Sequence, residues 1–338
     1  MIENAPLVPA WEAKFQDEAV VKAAHYGTTL EGNDLTLSEA KIIVEKEVTT
    51  VGQAEKEGVV ARDWDVQEVI NYRNVLKFID TVVGEGPYTM DLLLEMHRLV
   101  VDKIVPREQA GQLRETQVVL KNSVTGEIGF RPPTALEVPF LVDDFLVWLN
   151  GEKAKMEHPV LRAGVTHYVL AAVHPFVEGN GRTARAFATL VLFEEGYNIK
   201  KFFALEEYFD KHADEYFGSL MEVSNQTPVL VDRDLTPWLE TFTRALAVEL
   251  TRIKELIREL SVDIKIKKRM GKQVALSERQ MKIVEYLNAN GEIGMNEARG
   301  LLSMVSEDTI LREMRYLMEK GVAVKRGSTK AARYVLKK

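Results

Sequence analysis

From about Phe15 to Leu260 the apolar residues recur close to a 3.6-residue period, with one strong interruption. A chain patterned this way buries stripes of helix against other helices. FQDEAVVKAAHYGTTLEGN follows the period and stops at Gly32-Asn33, a helix C-terminus, and Thr36-Leu37-Ser38-Glu39 is a capping box that opens the next helix. Helical patterns continue through VQEVINYRNVLKFIDTVV, MDLLLEMHRLVVDKI, LEVPFLVDDFLVWLN, HPVLRAGVTHYVLAAV, RAFATLVLFEEG and PWLETFTRALAVELTRIKELIREL. The interruption is RETQVVLKNSVTGEIGFRPP: a β-branched run, a turn-rich KNSVTG, a second extended piece and two prolines, which together predict a hairpin.

Beyond Leu260 the pattern changes scale. The basic stretch over 263–274 reads as a linker. After it, Ser277-x-x-Gln280 is a second capping box, whose helix ends near Asn290-Gly291. A short helix over MNEARGLL follows, Ser306 caps SEDTILREMRYLMEKG, and VAVKRGSTKAARYVLKK closes as a small hairpin whose turn carries Lys325, Arg326 and Lys330. The net charge of −7 is a difference between unlike parts: 263–338 carries 17 Lys+Arg against 9 Asp+Glu, the remainder 27 against 42. An acidic body binds nucleic acid poorly, whereas the basic end suits it. The absence of cysteine excludes disulfides and thiolate metal sites. No apolar run approaches the roughly 20 residues of a membrane span, and MIENAPLVPAWEAKF lacks the pattern of a signal peptide. A cytoplasmic protein is the expectation.

One stretch linking two helices concentrates chemistry: HPFVEGNGRTAR, His174 to Arg185. Gly179-Asn180-Gly181 at a helix start exposes consecutive backbone N–H groups, which with the helix dipole form an anion cradle. Arg182 and Arg185, three residues apart, are placed to point the same way and clamp further phosphate oxygens. Glu178 offers an oxygen ligand where Mg²⁺ neutralising a polyphosphate would sit. His174 is a candidate general base for a hydroxyl nucleophile. Singly, each has an ordinary explanation, as a helix-end histidine, a turn or solvated arginines; their joint occurrence points to phosphate-bond chemistry on a nucleotide.

This stretch resembles the signature of the Fic (filamentation induced by cAMP) family, HPFx[D/E]GNGRxxR, and matches it at every specified position. The likeness extends over about residues 85–240, through LLLEMHRLVV, AGQLRETQVVL and RPPTALEVPFLVDDFL. The resemblance implies a mainly α fold, a Fic-type helical bundle with a β-hairpin flap. It implies transfer of AMP from ATP with Mg²⁺ to a Ser, Thr or Tyr hydroxyl of a target protein. In that scheme His174 deprotonates the hydroxyl and Glu178 holds the metal. Gly179, Asn180 and Gly181 bind phosphates, and Arg182 and Arg185 contact the β/γ end. The hairpin over 115–131 becomes a flap that adds a strand to the target segment, and its Leu120, Lys121, Asn122 and Ser123 lie where the family lines the nucleotide site. Tyr216 and Leu220 are candidates for the adenine pocket or, equally, for the core. Gly181 is not replaced by lysine, which favours AMP transfer over phosphorylation; another nucleotide stays open.

GTTLEGN, Gly27 to Asn33, resembles the family's inhibitory motif [S/T]xxxE[G/N]. By that resemblance Glu31 pairs with Arg185 and occupies the arginine that orients the γ-phosphate. The hydroxyl residue expected four before Glu31 is Gly27 here, with Thr28 one residue late. In some relatives the same glutamate aligns water to remove AMP, so the reverse reaction is also implied. Residues 275–338 resemble a winged helix-turn-helix, with the helix from Ser306 as recognition helix and Thr309, Arg312 and Arg315 facing a groove. The expected division is 1–84 as an N-terminal helical region with the inhibitory helix, 85–262 as the Fic core and following helices, 263–274 as linker and 275–338 as winged helix. ATP and a target protein are the expected partners, DNA and a second copy further ones. A nucleotide-sensing DNA-binding regulator is the alternative, against which His174 speaks, since a sensor needs no base. A toxin held by a separate antitoxin is made unnecessary by Glu31.

Overall fold

The computed structural model describes residues 9–121, 128–197, 203–260, 276–302, 305–327 and 332–337. Two compact units emerge, Pro9–Lys254 and Glu255–Lys338. The first holds helices α1 (Pro9–Thr29), α2 (Leu37–Glu45), α3 (Val51–Lys56), α4 (Asp63–Val82) and α5 (Met90–Val100). After a two-stranded hairpin come α6 (Val138–Asn150), α7 (Glu152–Met156), α8 (Pro159–Val173), α9 (Asn180–Glu194), α10 (Leu205–Lys211) and α11 (Ala213–Ser224). The long α12 (Thr236–Leu260) follows. The expected mainly α bundle is what the chain builds.

At its centre α8 and α9 pack most extensively on each other, with α5 against α9 and α6 against α8. The sequence explains this placement. From Asn180 to Leu192, α9 is buried at every position but Gly181, because its apolar stripe is widened all round by Ala184, Ala186 and Ala188. The N-terminal α1 lies against α2, α4 and α10. Thr36 caps α2 with the full capping box read from sequence. Trp238 and Phe242 bring α12 to α8, where the Trp238 indole N–H donates to the Gly164 carbonyl at 2.7 Å.

Among the described residues, the β-branched run before Leu120 is not part of the hairpin's ladder. Strand β1 is Leu120–Lys121 and β2 is Ile128–Phe130, paired antiparallel with Leu120 opposite Phe130 and Lys121 opposite Ile128. The approach to β1 leaves the ladder because side chains claim the carbonyls: Gln117 Nε2 donates to Val118 and Pro132 oxygens.

The second unit contains α13 (Glu278–Asn290), β3 (Glu292–Ile293), α14 (Met295–Leu301), α15 (Glu307–Glu319), β4 (Ala323–Arg326) and β5 (Arg333–Leu336). Ser277 supplies the capping box and Ser306 the cap of α15. The three helices and hairpin are present, with one addition: β3 pairs with β5, giving a sheet in the order β3-β5-β4. Two residues, Glu292 and Ile293, are too short a run to read as a strand. Ile283, Leu287, Ile310, Met314, Leu317 and Tyr334 form its core.

Candidate functional site

HPFVEGNGRTAR turns the chain from α8 into α9, and two left-handed residues make the turn. His174 caps α8 at φ 51°, ψ 60°, an uncommon conformation for a residue bearing a Cβ. Gly179 caps α9 at φ 75°, and there a glycine is required twice over. The backbone is left-handed, and an added Cβ would lie 3.0 Å or less from the Val100 and Val101 side chains. Asn180 then closes the loop on itself: its side-chain oxygen accepts from Phe176 N at 2.8 Å and its amide donates to Phe176 O at 2.9 Å. The amide group expected on a phosphate is thus spent on the turn. What Asn180 presents is the free backbone N–H of a helix first turn, shared with Gly181.

Two further residues, not singled out from sequence, fix this loop. His97 of α5 stacks on Phe176 with ring centroids 3.6 Å apart and planes 2° from parallel. Its Nδ1 accepts from Gly111 N at 3.0 Å, so the proton lies on Nε2, which donates to the Glu178 carbonyl at 3.0 Å. Burial pushes its pKa down to about 4, and only the neutral ring satisfies both partners. Arg114, 3% exposed, donates through Nε to the His174 carbonyl at 2.8 Å.

His174 lines a cavity of about 660 Å³ whose other lining includes Leu120, Phe130, Glu31, Gly181 and Arg185. Its Nδ1 sits 3.3 Å from the Ala171 carbonyl. A carbonyl only accepts, so this contact places the proton on Nδ1 and leaves Nε2 with a lone pair. Burial holds the His174 pKa down to about 4, Glu31 opposing that and Arg114 reinforcing it. The imidazole is therefore neutral, the form a base needs. Tyr168, Ala171, Ala172, Phe217, Leu220 and Met221 add a mostly apolar wall.

The two arginines converge on Glu31 but differ in their further partners. Arg185, 3% exposed, lines the cavity. Its Nη2 donates to Glu31 Oε1 at 2.7 Å and to the Gly27 carbonyl at 2.7 Å. Arg182, 1% exposed, does not itself line the cavity and is taken up by three carboxylates. Nε meets Glu31 Oε2 at 3.0 Å, Nη2 meets Glu178 Oε1 at 3.0 Å, and Nη1 lies 2.7 Å from Glu68 Oε1 without hydrogen-bond alignment. In this structure Arg182 is the counter-ion of Glu31, Glu68 and Glu178. The i, i+3 spacing gives neighbouring positions, and Glu68, distant in sequence, adds a carboxylate beside Arg182.

Glu31 bridges both guanidiniums rather than Arg185 alone. Burial raises its pKa, but Arg185 and Arg182 together outweigh that and hold it below the ordinary carboxylate range. A Cβ on Gly181 would run into the Glu31 carboxylate, so the bare backbone at 181 is what lets Glu31 in. The departure at Gly27 has a steric cause: a Cβ there would lie 2.8 Å from Tyr72 Cε1. Thr28 does not substitute, since its hydroxyl donates back to Ala24 and His25 carbonyls. The turn carrying Glu31 is instead anchored by Asn33, whose amide donates to Asp65 O at 3.0 Å and Glu68 Oε2 at 2.8 Å.

Of the remaining expected residues, Leu120 and Leu220 line the cavity. Tyr216 also touches it, yet it is 2% exposed and its hydroxyl faces Arg185 Nη1 at 3.4 Å and His167 Nε2 at 3.0 Å. Asn122 and Ser123 lie outside the described residues, as does the Lys121 side chain. Glu178 keeps 43% of its side chain exposed beside the cavity. One carboxylate with room for water fits Mg²⁺, which binds through one or two carboxylates plus substrate phosphates. Among the described residues no three acidic or histidine side chains gather into a metal cluster, and no helix is long and apolar enough to cross a membrane.

Comparison with known proteins converges on this site. Residues 87–192 match the Fic/DOC family model. "Protein adenylyltransferase Fic" of Culex quinquefasciatus is 32% identical over 184 residues, covering 54% of this chain and 34% of that protein, so the chain spans about a third of that relative's length. A Fic family protein from Desulfovibrio desulfuricans aligns over 97% of this chain and 88% of its own at a TM-score of 0.61 and 20% identity, a likeness of fold. Fic-1 from C. elegans aligns over 75% of this chain and 68% of its own, at TM-score 0.59 and 25% identity. The stretch that matches the Fic/DOC family model contains His174, Glu178, Gly179, Asn180, Gly181 and Arg185 of the cavity lining.

Proposed function

We propose that this chain transfers AMP from ATP to a side-chain hydroxyl of a protein target, and that Glu31 restrains the reaction. The observation that carries the reading is a neutral histidine with its Nε2 lone pair free beside a glycine-bearing helix N-terminus, in one cavity with Arg185. The target hydroxyl oxygen attacks the α-phosphorus, the bond to pyrophosphate breaks, and the hydroxyl proton passes to His174 Nε2. First-turn N–H groups at Asn180 and Gly181 are aimed to hold phosphate oxygens, and Arg185 the far end of the polyphosphate once Glu31 leaves. Glu178 is the residue to hold Mg²⁺, which when bound neutralises phosphate charge and supports departure of pyrophosphate. Arg182 keeps Glu178 in place. Tyr216 positions Arg185, and Leu120 with the α11 side chains bounds the base. The name of the Culex quinquefasciatus relative supports the same reaction. Incubating the Glu31→Gly protein with α-labelled ATP tests it: label should enter protein and vanish with His174→Ala. Label that persists in the His174→Ala protein defeats the assignment.

A second reading concerns residues 276–337, for which we propose a winged-helix contact with duplex DNA. On α15 Glu307 is paired with Arg299 and Glu313 accepts from Gln280 at 2.6 Å, while Arg312, Arg315, Lys325 and Arg326 stay exposed. Among the described residues of this unit no large apolar side chain is exposed, which disfavours an apolar protein interface. Retention of the full chain on duplex DNA should fall steeply with salt and weaken in Arg312→Ala/Arg315→Ala; indifference to both counts against it.

A further inference from the structure

Arg114 is a buried cation without a carboxylate partner among the described residues; every group its side chain reaches is a backbone carbonyl. Nε donates to His174 O at 2.8 Å, Nη1 to Thr116 O at 3.2 Å, and Nη2 to Pro133 O at 2.6 Å and Val173 O at 3.4 Å. Its own backbone N–H donates to Pro175 O at 2.8 Å. Burial lowers the guanidinium pKa, as expected for a cation held by dipoles alone.

The identity of these carbonyls gives the arrangement its meaning. Val173 and His174 end α8, where carbonyls lack intrahelical partners and the helix dipole favours a cation. Thr116 lies on the chain leading into β1 and Pro133 on the chain leaving β2, so they are the two legs of the hairpin. One guanidinium therefore ties both legs to the backbone of the histidine that would act as base. A point charge could not do this: a lysine ammonium reaches one or two of the four carbonyls, whereas the planar fork spans them.

We propose that Arg114 is the positioning residue that sets the distance between the β1–β2 hairpin and His174. It thereby places the hydroxyl of any segment held along that hairpin within reach of Nε2. The inference rests on the transferase reading. Proton transfer needs about 2.6–3.2 Å between heavy atoms, and a misplacement of about 1 Å can cost about a hundredfold in rate. Water, as an alternative acceptor of AMP, is not carried by the hairpin and is insensitive to where the hairpin stands.

The test uses the full chain in a Glu31→Gly background, with Arg114→Gln and Arg114→Lys added separately. Three quantities are followed: MgATP affinity, label entering protein, and free AMP released to water. Arg114→Gln should lower transfer to protein about tenfold or more with MgATP affinity within about twofold, so that the ratio of protein-bound to free AMP falls. Arg114→Lys should recover part of the ratio, and it guards against a Gln variant that fails to fold. Transfer and hydrolysis falling together with MgATP affinity would show a general structural role and overturn the proposal, as would transfer within about twofold of the parent. A parent that labels nothing and frees no AMP removes the transferase reading, and this proposal with it.

Discussion

Replacing Glu31 by glycine should make the protein less stable and more active at once. The carboxylate makes two charge-assisted contacts, 2.7 Å to Arg185 and 3.0 Å to Arg182. Their loss is unequal in effect. Arg182 retains Glu68 and Glu178, whereas among the described residues Arg185 retains the Gly27 carbonyl and the Tyr216 hydroxyl and no carboxylate. The net cost is therefore near that of one charged hydrogen bond, about 1.5–3 kcal/mol. For a unit of this size that is a Tm lowered by roughly 3–10 °C. If closure of the site is held by the same contact, its release raises AMP incorporation by about 10- to 100-fold, each 1.4 kcal/mol being a factor of ten. Incorporation of labelled AMP beside a melting curve reads both quantities, and saturating MgATP should return part of the lost Tm. Glu31→Gln, which keeps an acceptor without the charge, should fall between. A Glu31→Gly protein that melts cooperatively and labels within twofold of the parent refutes the reasoning.

Gly181→Ala should lower Tm in the parent, because its methyl meets the Glu31 carboxylate, but much less in Glu31→Gly. A double-mutant cycle should give a coupling of about 1 kcal/mol or more, and additivity would contradict the contact. Gly27→Ser, which restores the motif's hydroxyl, should weaken rather than strengthen the fold by about 1–3 kcal/mol, since its Cβ lies 2.8 Å from Tyr72; a rise in Tm would remove that account. Acid should destabilise the protein through His97 and His174, whose folded pKa values are down to about 4 against an unfolded value near 6.5. Depressed histidines contribute stability in full above pH 6.5 and lose it as pH falls toward 4, by at most about 1.4 kcal/mol per unit and group. His97→Gln should flatten the Tm profile over that window, and an unchanged slope would exclude His97 as a source.

What could be read in the sequence was local. Thr36, Ser277 and Ser306 declare their helices because a cap and its partner lie within three residues. The twelve-residue turn was legible for the same reason, and Glu31 with Arg185 through the resemblance. The losses came where distance along the chain set the outcome. Arg182 has a further carboxylate beside it in Glu68, from α4. His97 looks like any helical histidine until Gly111 and Glu178 bring a donor and an acceptor to its two nitrogens. Gly27 looked like a missing hydroxyl and is an excluded volume beside Tyr72. Arg114 carries no sequence signal of its role, because a backbone carbonyl belongs to every residue.

The cluster around Arg182 has an electrical meaning. Two guanidiniums share the site with the carboxylates of Glu31, Glu68 and Glu178, so the closed arrangement carries a surplus negative charge when all three are ionised. Under the proposed function, a nucleotide polyphosphate would meet that charge on approach. Under the same proposal, withdrawal of Glu31 would bring the balance to zero, and a divalent cation at Glu178 would turn it positive. In that proposal the glutamate would set the sign of charge around the cavity, with the reach of a field rather than of a contact.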